Sequence, residues 1–190
     1  GMGAFGTAVG LPFYNQIGDL PTNNLTNNTY AYADDISGVA IRNNRESKVK
    51  PCYKCPVNHC HWIYLQDKQY GLERVDEPEY EGMAGFGSNW GIHDMDQIMW
   101  LQHLADDYGM CLKSLSFVVS LMMECFEKGV ISQEQLGGLD LKFGNGEAAA
   151  ELMRKIAYRE DIGDLLGENL RTIAQTIGGE AINMVVEIKG

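Results

Sequence analysis

No uninterrupted apolar run in this chain approaches the ~20 residues that cross a bilayer, and its start lacks the basic segment that opens a signal peptide. Neither a membrane span nor secretion is expected, and a cytoplasmic home follows as the default. Clustered lysine and arginine are lacking as well. A formal net charge of -11 opposes nucleic acid, whose phosphates call for concentrated positive charge. A disulfide framework is disfavoured, because the five cysteines are an odd number and three of them crowd one turn, which suits a reducing compartment. No series of alternating apolar and polar residues marks out strands, so the expected class is mostly α.

The composition that remains, 45% hydrophobic and 22% charged, is that of a soluble globular chain long enough for one well-buried core. Gly1 ahead of Met2 reads as a scar from an expression tag. The expected organisation is a single multihelical domain over 1–190, with an irregular N-terminal segment 1–50 and a cysteine loop 51–62. Pro21 with Asn23, Asn24, Asn27 and Asn28 predicts a surface-lying connection. The run from Asp34 to Arg45 predicts one short helix.

Further along, Asp94 with Gln97 forms a capping signal, and Ile98, Leu101, Leu104, Ala105 and Tyr108 recur at helical spacing, predicting a helix to about Asp107. Leu112 to Phe126 is apolar on almost every side, the pattern of a helix buried all round, and Cys125 within it reads as a small core residue. Ser132 with Gln135 is a second cap signal. Helices are predicted from Glu147 to Tyr158 and from Leu165 to Ile177, the last ended by Gly178 and Gly179. Four glycines between Gly82 and Gly91, around Phe86 and Trp90, permit close approach to a neighbour or a ligand.

The chemistry concentrates at Cys52-Tyr-Lys-Cys55-Pro-Val-Asn-His-Cys60. Three thiols this close can reach one inorganic centre, and a proline after the second cysteine is a feature of iron–sulfur loops. Zinc is the competing reading, since His59 or His61 completes a Cys3His set. His93 and His103 read as hydrogen-bonded structural residues. Asp76, Glu77, Glu79 and Glu81 form an acidic stretch that on pattern alone reads equally as a solvated run.

The order of motifs is more specific than any one of them. Leu20-Pro-Thr-Asn-Asn24, Ile36-Ser-Gly38, the cysteine loop, Glu79-Tyr-Glu81, Gly87-Ser-Asn89, Asp106-Asp-Tyr-Gly-Met-Cys111, Met123-Glu-Cys-Phe-Glu-Lys-Gly129, Leu141-Lys-Phe-Gly144 and Ile156 to Leu166 together resemble the tungsten-containing aldehyde:ferredoxin oxidoreductases. The resemblance runs from about Phe5 to the last residue. It implies an oxygen-sensitive enzyme of anaerobes that oxidises aldehydes to carboxylic acids, of which this chain is the middle helical domain. An N-terminal cofactor-cradling domain and a C-terminal helical domain would be its partners, with ferredoxin as electron acceptor and, by analogy, a homodimer.

The implied cofactors are a tungsten or molybdenum bis-pterin and a [4Fe–4S] cluster, neither of which the isolated chain need hold. Cys52, Cys55 and Cys60 match the cluster ligands, although the spacer before the third is four residues where three is usual. The fourth ligand is implied to come from a later Asp-x-x-Gly-Leu-Cys motif outside this chain. Asp106, Gly109 and Cys111 match the first pterin-binding motif, with Cys111 standing where aspartate is usual. Glu79 and Glu81 match a segment with a carboxylate near the metal that moves protons, giving the implied catalytic pair. The alternative is a stand-alone zinc or iron–sulfur module for electron transfer or interaction, without aldehyde oxidation.

Overall fold

The structure, a computed structural model, describes residues 1–187. Its N-terminal fifty residues fold as short pieces: α1 (Met2–Phe5), a tight turn at Thr7–Gly10, α2 (Leu11–Gln16) and α3 (Gly38–Asn44). The helix expected from Asp34 begins only at Gly38. Ser37 is extended and its hydroxyl accepts the Ala40 N–H at 3.1 Å, so this serine starts the helix and the residues before it stay as turns. Asn23, Asn24 and Leu25 all adopt left-handed backbone in the connection ahead of it.

Three short strands follow, β1 (Ser47–Val49), β2 (His61–Tyr64) and β3 (Arg74–Asp76), in one antiparallel sheet of that order. Val49 pairs with His61, and Trp62 pairs with Asp76. Ile63 and Val75 point into the core, while Trp62 and Tyr64 lie on the half-exposed face. Asp96, itself buried, ties the base of the sheet to the helices: it accepts from Arg45 Nε at 2.7 Å and from the Gln66 and Asp67 N–H groups at 2.9 and 2.8 Å.

The chain then passes through α4 (Tyr80–Gly82) and a wider, π-type turn at Met83–Gly87. The glycines there meet protein: a Cβ on Gly82 would strike the Gln102 side chain, and one on Gly85 would come within 2.9 Å of Ser116 Oγ. Next come α5 (Met95–Asp107), α6 (Leu112–Glu127), α7 (Gly146–Tyr158), α8 (Ile162–Leu166) and α9 (Leu170–Ile177). Every residue of α6 from Val118 to Cys125 is buried, as its all-round apolar pattern requires. Trp90 and Phe86 stack at 4.3 Å against it, with Trp90 Nε1 donating to the Ser116 carbonyl at 2.8 Å. The mostly α class holds, and the three strands are its addition.

The single helix expected from Leu165 to Ile177 is two. Gly163 packs so closely that a Cβ would collide with the Lys155 carbonyl, which fixes α8 across α7. The chain turns at Gly167, and Asn169 restarts it by accepting the Thr172 N–H at 2.9 Å. Ser132 and Gln135 form their reciprocal cap, at 2.9 and 3.2 Å, around a turn that does not continue as helix. Among the described residues no single helix is long and apolar enough to cross a membrane.

Candidate metal centre

The cysteine loop is the connection of the β1–β2 hairpin. Beyond the last strand pair, Lys50 N–H donates to the Cys60 carbonyl at 2.9 Å, so the loop closes at Cys60, and His61 and Trp62 belong to the strand. Within it, Cys55 N–H turns back to the Cys52 carbonyl at 3.2 Å, and Lys54 and Asn58 adopt left-handed backbone, an uncommon conformation for side-chain-bearing residues. Cys52 is exposed, and Cys55 and Cys60 are half-buried. The Cys52 and Cys60 sulfurs are 3.6 Å apart, and both residues are free thiols.

Glu79 reaches this corner from the segment after β3. Thr7 Oγ1 donates to Glu79 Oε2 and also accepts the Tyr80 N–H at 2.8 Å, fixing the carboxylate from behind. Its other oxygen lies 3.0 Å from His59 Nε2 and 4.0 Å from Cys60 Sγ, while His59 Nε2 lies 3.8 Å from that sulfur. His59, Cys60 and Glu79 thus bring three ligand atoms within 4.8 Å of one another. His59 Nδ1 is buried without a partner. Partial burial, the hydrogen bond shared with Cys52 and the negative charge of Glu79 and Glu77 push the Cys60 thiol up to about 11. A bound cation would reverse that balance, since it stabilises the thiolate it ligates.

Beneath the loop, Glu77 is buried and paired with Arg42 at 2.5 Å; His61 Nδ1 lies 3.0 Å from its second oxygen and 2.8 Å from the His59 carbonyl. Asp76 pairs with Lys50 at 2.6 Å, and Glu81 with Lys113 at 3.3 Å. Of the acidic stretch only Glu77 is buried; Asp76, Glu79 and Glu81 keep solvent exposure, although each carboxylate has its own partner. Of the other histidines, His93 stacks on Tyr32 and His103 lies 3.3 Å from Asp107.

The remaining sequence-picked residues lie elsewhere. Glu81 borders a cavity between α4 and α6. Asp106 ends α5 in a cleft shared with Trp62, Arg74, Asp76 and His103, where burial first and Asp76 second raise its pKa. Gly109, in left-handed backbone, is the turning residue of a Schellman cap: its N–H meets the Asp106 carbonyl at 3.0 Å and the Met110 N–H meets that of Ala105 at 2.8 Å. Cys111 precedes α6 in a third cleft, with Ser114, Leu115 and Ile156, and hydrogen bonds from the Ser114 N–H and hydroxyl lower its pKa. Cys125 is fully buried, 3.8 Å from Met184 Sδ. Cys52, Cys60 and Glu79 meet at one corner, with Cys55 in the same loop; Glu81, Asp106 and Cys111 face three others.

Two members of the corner were not legible as such. His59 was expected to matter only as a zinc ligand. Thr7 carried no signal.

The family profile described as "Aldehyde ferredoxin oxidoreductase, domains 2 & 3" matches residues 1–190. The chain belongs to the aldehyde ferredoxin oxidoreductase family. Among its relatives in that family, the tungsten-containing aldehyde ferredoxin oxidoreductase of Pyrococcus abyssi is 35% identical over 190 residues, covering 98% of this chain and 31% of the relative. The protein of the same name from Pyrococcus furiosus is 32% identical over 98% of this chain and 30% of its own length. A relative named aliphatic sulfonate oxidoreductase, WOR-like subunit, also from Pyrococcus furiosus, is 31% identical over 73% of this chain and 23% of its own. The chain thus spans about a third or less of these relatives. Among solved structures, the active-site complex BamBC of benzoyl coenzyme A reductase, in complex with 1,5-dienoyl-CoA, shares the fold: TM-score 0.72 and 22% identity, covering 93% of this chain and 27% of that one.

Proposed function

We propose that this chain is the cluster-bearing part of a tungsten or molybdenum bis-pterin oxidoreductase that oxidises aldehydes to carboxylic acids and passes the electrons to ferredoxin. The observation that carries the reading is the closed hairpin tip presenting Cys52, Cys55 and Cys60 with Glu79 held 4.0 Å from Cys60 Sγ. Thiolates suit an iron–sulfur centre, as they do zinc, and at an exposed tip such a centre would lie within reach of an acceptor. The donor set of the loop fits such a centre with one ligand still to come from outside it, because Cys125 is sealed in the core and Cys111 lines a cleft that no loop residue enters.

Conversion of an aldehyde and water to a carboxylic acid releases two electrons and two protons. When bound, the metal–pterin group would supply the two-electron oxidation and the cluster a path for single electrons. The residues of this chain hold and move the protons. Glu79 can accept one at Oε1, beside His59 Nε2, while Thr7 keeps Oε2 fixed. Glu81, half-exposed and paired with Lys113, is the second carboxylate available for that work. Asp106 offers acceptors to the amino and ring N–H groups of a pterin, and the turn at Gly109 brings the backbone towards Cys111 beside it.

A second reading is favoured by one observation. Three donors bound to a single zinc ion stand about 3.3 to 3.8 Å apart when their bonds are ~2.0 to 2.3 Å long. His59, Cys60 and Glu79 stand 3.0, 3.8 and 4.0 Å apart, and Cys52 lies 3.6 Å from Cys60. That arrangement suits a stand-alone zinc module. Iron and acid-labile sulfide analysis on protein purified without oxygen decides between them. Iron and sulfide in equal amounts with broad absorption around 400 nm support the oxidoreductase; stoichiometric zinc without sulfide overturns it.

A further inference from the structure

The tip of the cysteine hairpin holds a pair of thiols as well as a set of metal donors. Cys52 Sγ and Cys60 Sγ stand 3.6 Å apart, and both are free. Cys55 belongs to no group of three ligand atoms within 4.8 Å of one another among the described residues, so it does not close on the other two sulfurs together. The backbone accounts for this. The bond from the Lys50 N–H to the Cys60 carbonyl, at 2.9 Å, pins Cys60 to the last rung of the hairpin, and Cys52 follows Lys50 by two residues on the opposite arm. Cys55 sits in the bend itself, where its N–H meets the Cys52 carbonyl at 3.2 Å and Lys54 and Asn58 take left-handed backbone.

Bonded sulfurs in a disulfide are ~2.05 Å apart, so Cys52 and Cys60 have about 1.5 Å to close, which rotation of their side chains can supply without moving the strands. Cys52 is exposed and the neighbouring Tyr53 is 89% exposed, so a small oxidant in solution meets Cys52 first. The other two thiols do not compete for this bond: Cys125 is sealed in the core and Cys111 lines a different cleft.

We propose that Cys52 and Cys60 form a thiol–disulfide switch on metal uptake by the tip, thrown by a low-molecular-weight disulfide. Cys52, as its thiolate, attacks one sulfur of the external disulfide; a mixed disulfide forms and one small thiolate leaves. Cys60 then gives up its proton, with Glu79 Oε1 placed 4.0 Å away to receive it, and its sulfur attacks that of Cys52 and expels the second small thiolate. Two protein thiols are oxidised, the external disulfide is reduced to two thiols, and those thiols end with the two protons. A sulfur tied in a disulfide is no thiolate ligand. The oxidised tip therefore keeps one of its three cysteines, and His59 and Glu79 lose the sulfur that stands 3.8 and 4.0 Å from them. The switch acts before metal is bound and in the same way for an iron–sulfur or a zinc centre, so it holds whichever function the tip serves.

The test takes the chain freed of metal by a chelator, reduced, and treated with oxidised glutathione in the absence of oxygen. Remaining thiols are alkylated and the tryptic peptides are read by mass spectrometry; cleavage after Lys54 separates Cys52 from the other two loop cysteines, so the linked pair is identified directly. A link from Cys52 to Cys60 with Cys55 alkylated is expected, with zinc uptake at least roughly tenfold weaker than that of the reduced chain and recovered on adding dithiothreitol. Cys55→Ser should form the same link, whereas Cys60→Ser should stop at the glutathione adduct of Cys52. A link through Cys55, an adduct that persists in the unaltered chain, or a reduced chain that takes no more zinc than the oxidised one would overturn the switch.

Discussion

The helix α6 and the cysteine hairpin are held by opposite means. Around α6 every residue from Val118 to Cys125 is buried, and the fully buried Trp90 and Phe86 come from the turns packed against it. The hairpin tip has little to bury. It is placed by polar ties: Arg42 with Glu77 below, Thr7 with Glu79 beside, and Asp96 bonded to Arg45, Gln66 and Asp67 at its base. Non-directional burial sets how stable the chain is, and directional bonds set where the sulfurs stand. Stability and metal binding should therefore separate under mutation.

Cys60→Ser should break the comparison most sharply. Bound metal is expected to fall more than tenfold by elemental analysis while the helical circular dichroism stays as it was. A large parallel loss of helix would mean that the tip supports the core. Trp90→Ala should do the reverse, costing about 3–5 kcal/mol in denaturant unfolding through the lost stacking and the cavity left behind, with metal per folded chain unchanged. Gly163→Ala should cost less, about 1–3 kcal/mol, by forcing α8 off the Lys155 carbonyl.

The mildest probe alters no residue. Burial pushes the Cys125 thiol up to about 11, so at pH 8 about one in a thousand is thiolate, whereas the Cys111 thiol is lowered by its Ser114 hydrogen bonds. Iodoacetamide at pH 8 should therefore modify Cys111 well ahead of Cys125, and the Cys125 rate should climb with every pH unit up to about 11. Mass spectrometry of the peptides reads both rates, and equal rates would show that the core opens readily.

The long helices were legible to within a residue or two because periodicity and caps agree there: Asp94 accepts the Gln97 N–H at 3.0 Å, and Asn145 accepts that of Ala148 at 3.1 Å. The strands were not legible, since each is only three or four residues and their pairing spans an intervening loop. Leu165 to Ile177 misled because the break at Gly167 answers to a tertiary contact, Gly163 against α7, that no local pattern announces. At the site, the cysteines stood out by type and spacing, and Glu79 only through its place in a segment that resembles the family. Their meeting with His59 and Thr7 did not, because seventy-two positions separate Thr7 from Glu79 and only the fold joins them.

The closure of the hairpin at Lys50 and Cys60 also bears on how such a protein can vary. Since the strand register is set outside the loop by the Val49–His61 pair, a residue added between the second and third cysteines lengthens only the bight and leaves every pair in the sheet unshifted. Lineages can lengthen or shorten that bight, and so retune the environment of the sulfurs, without having to refold anything else.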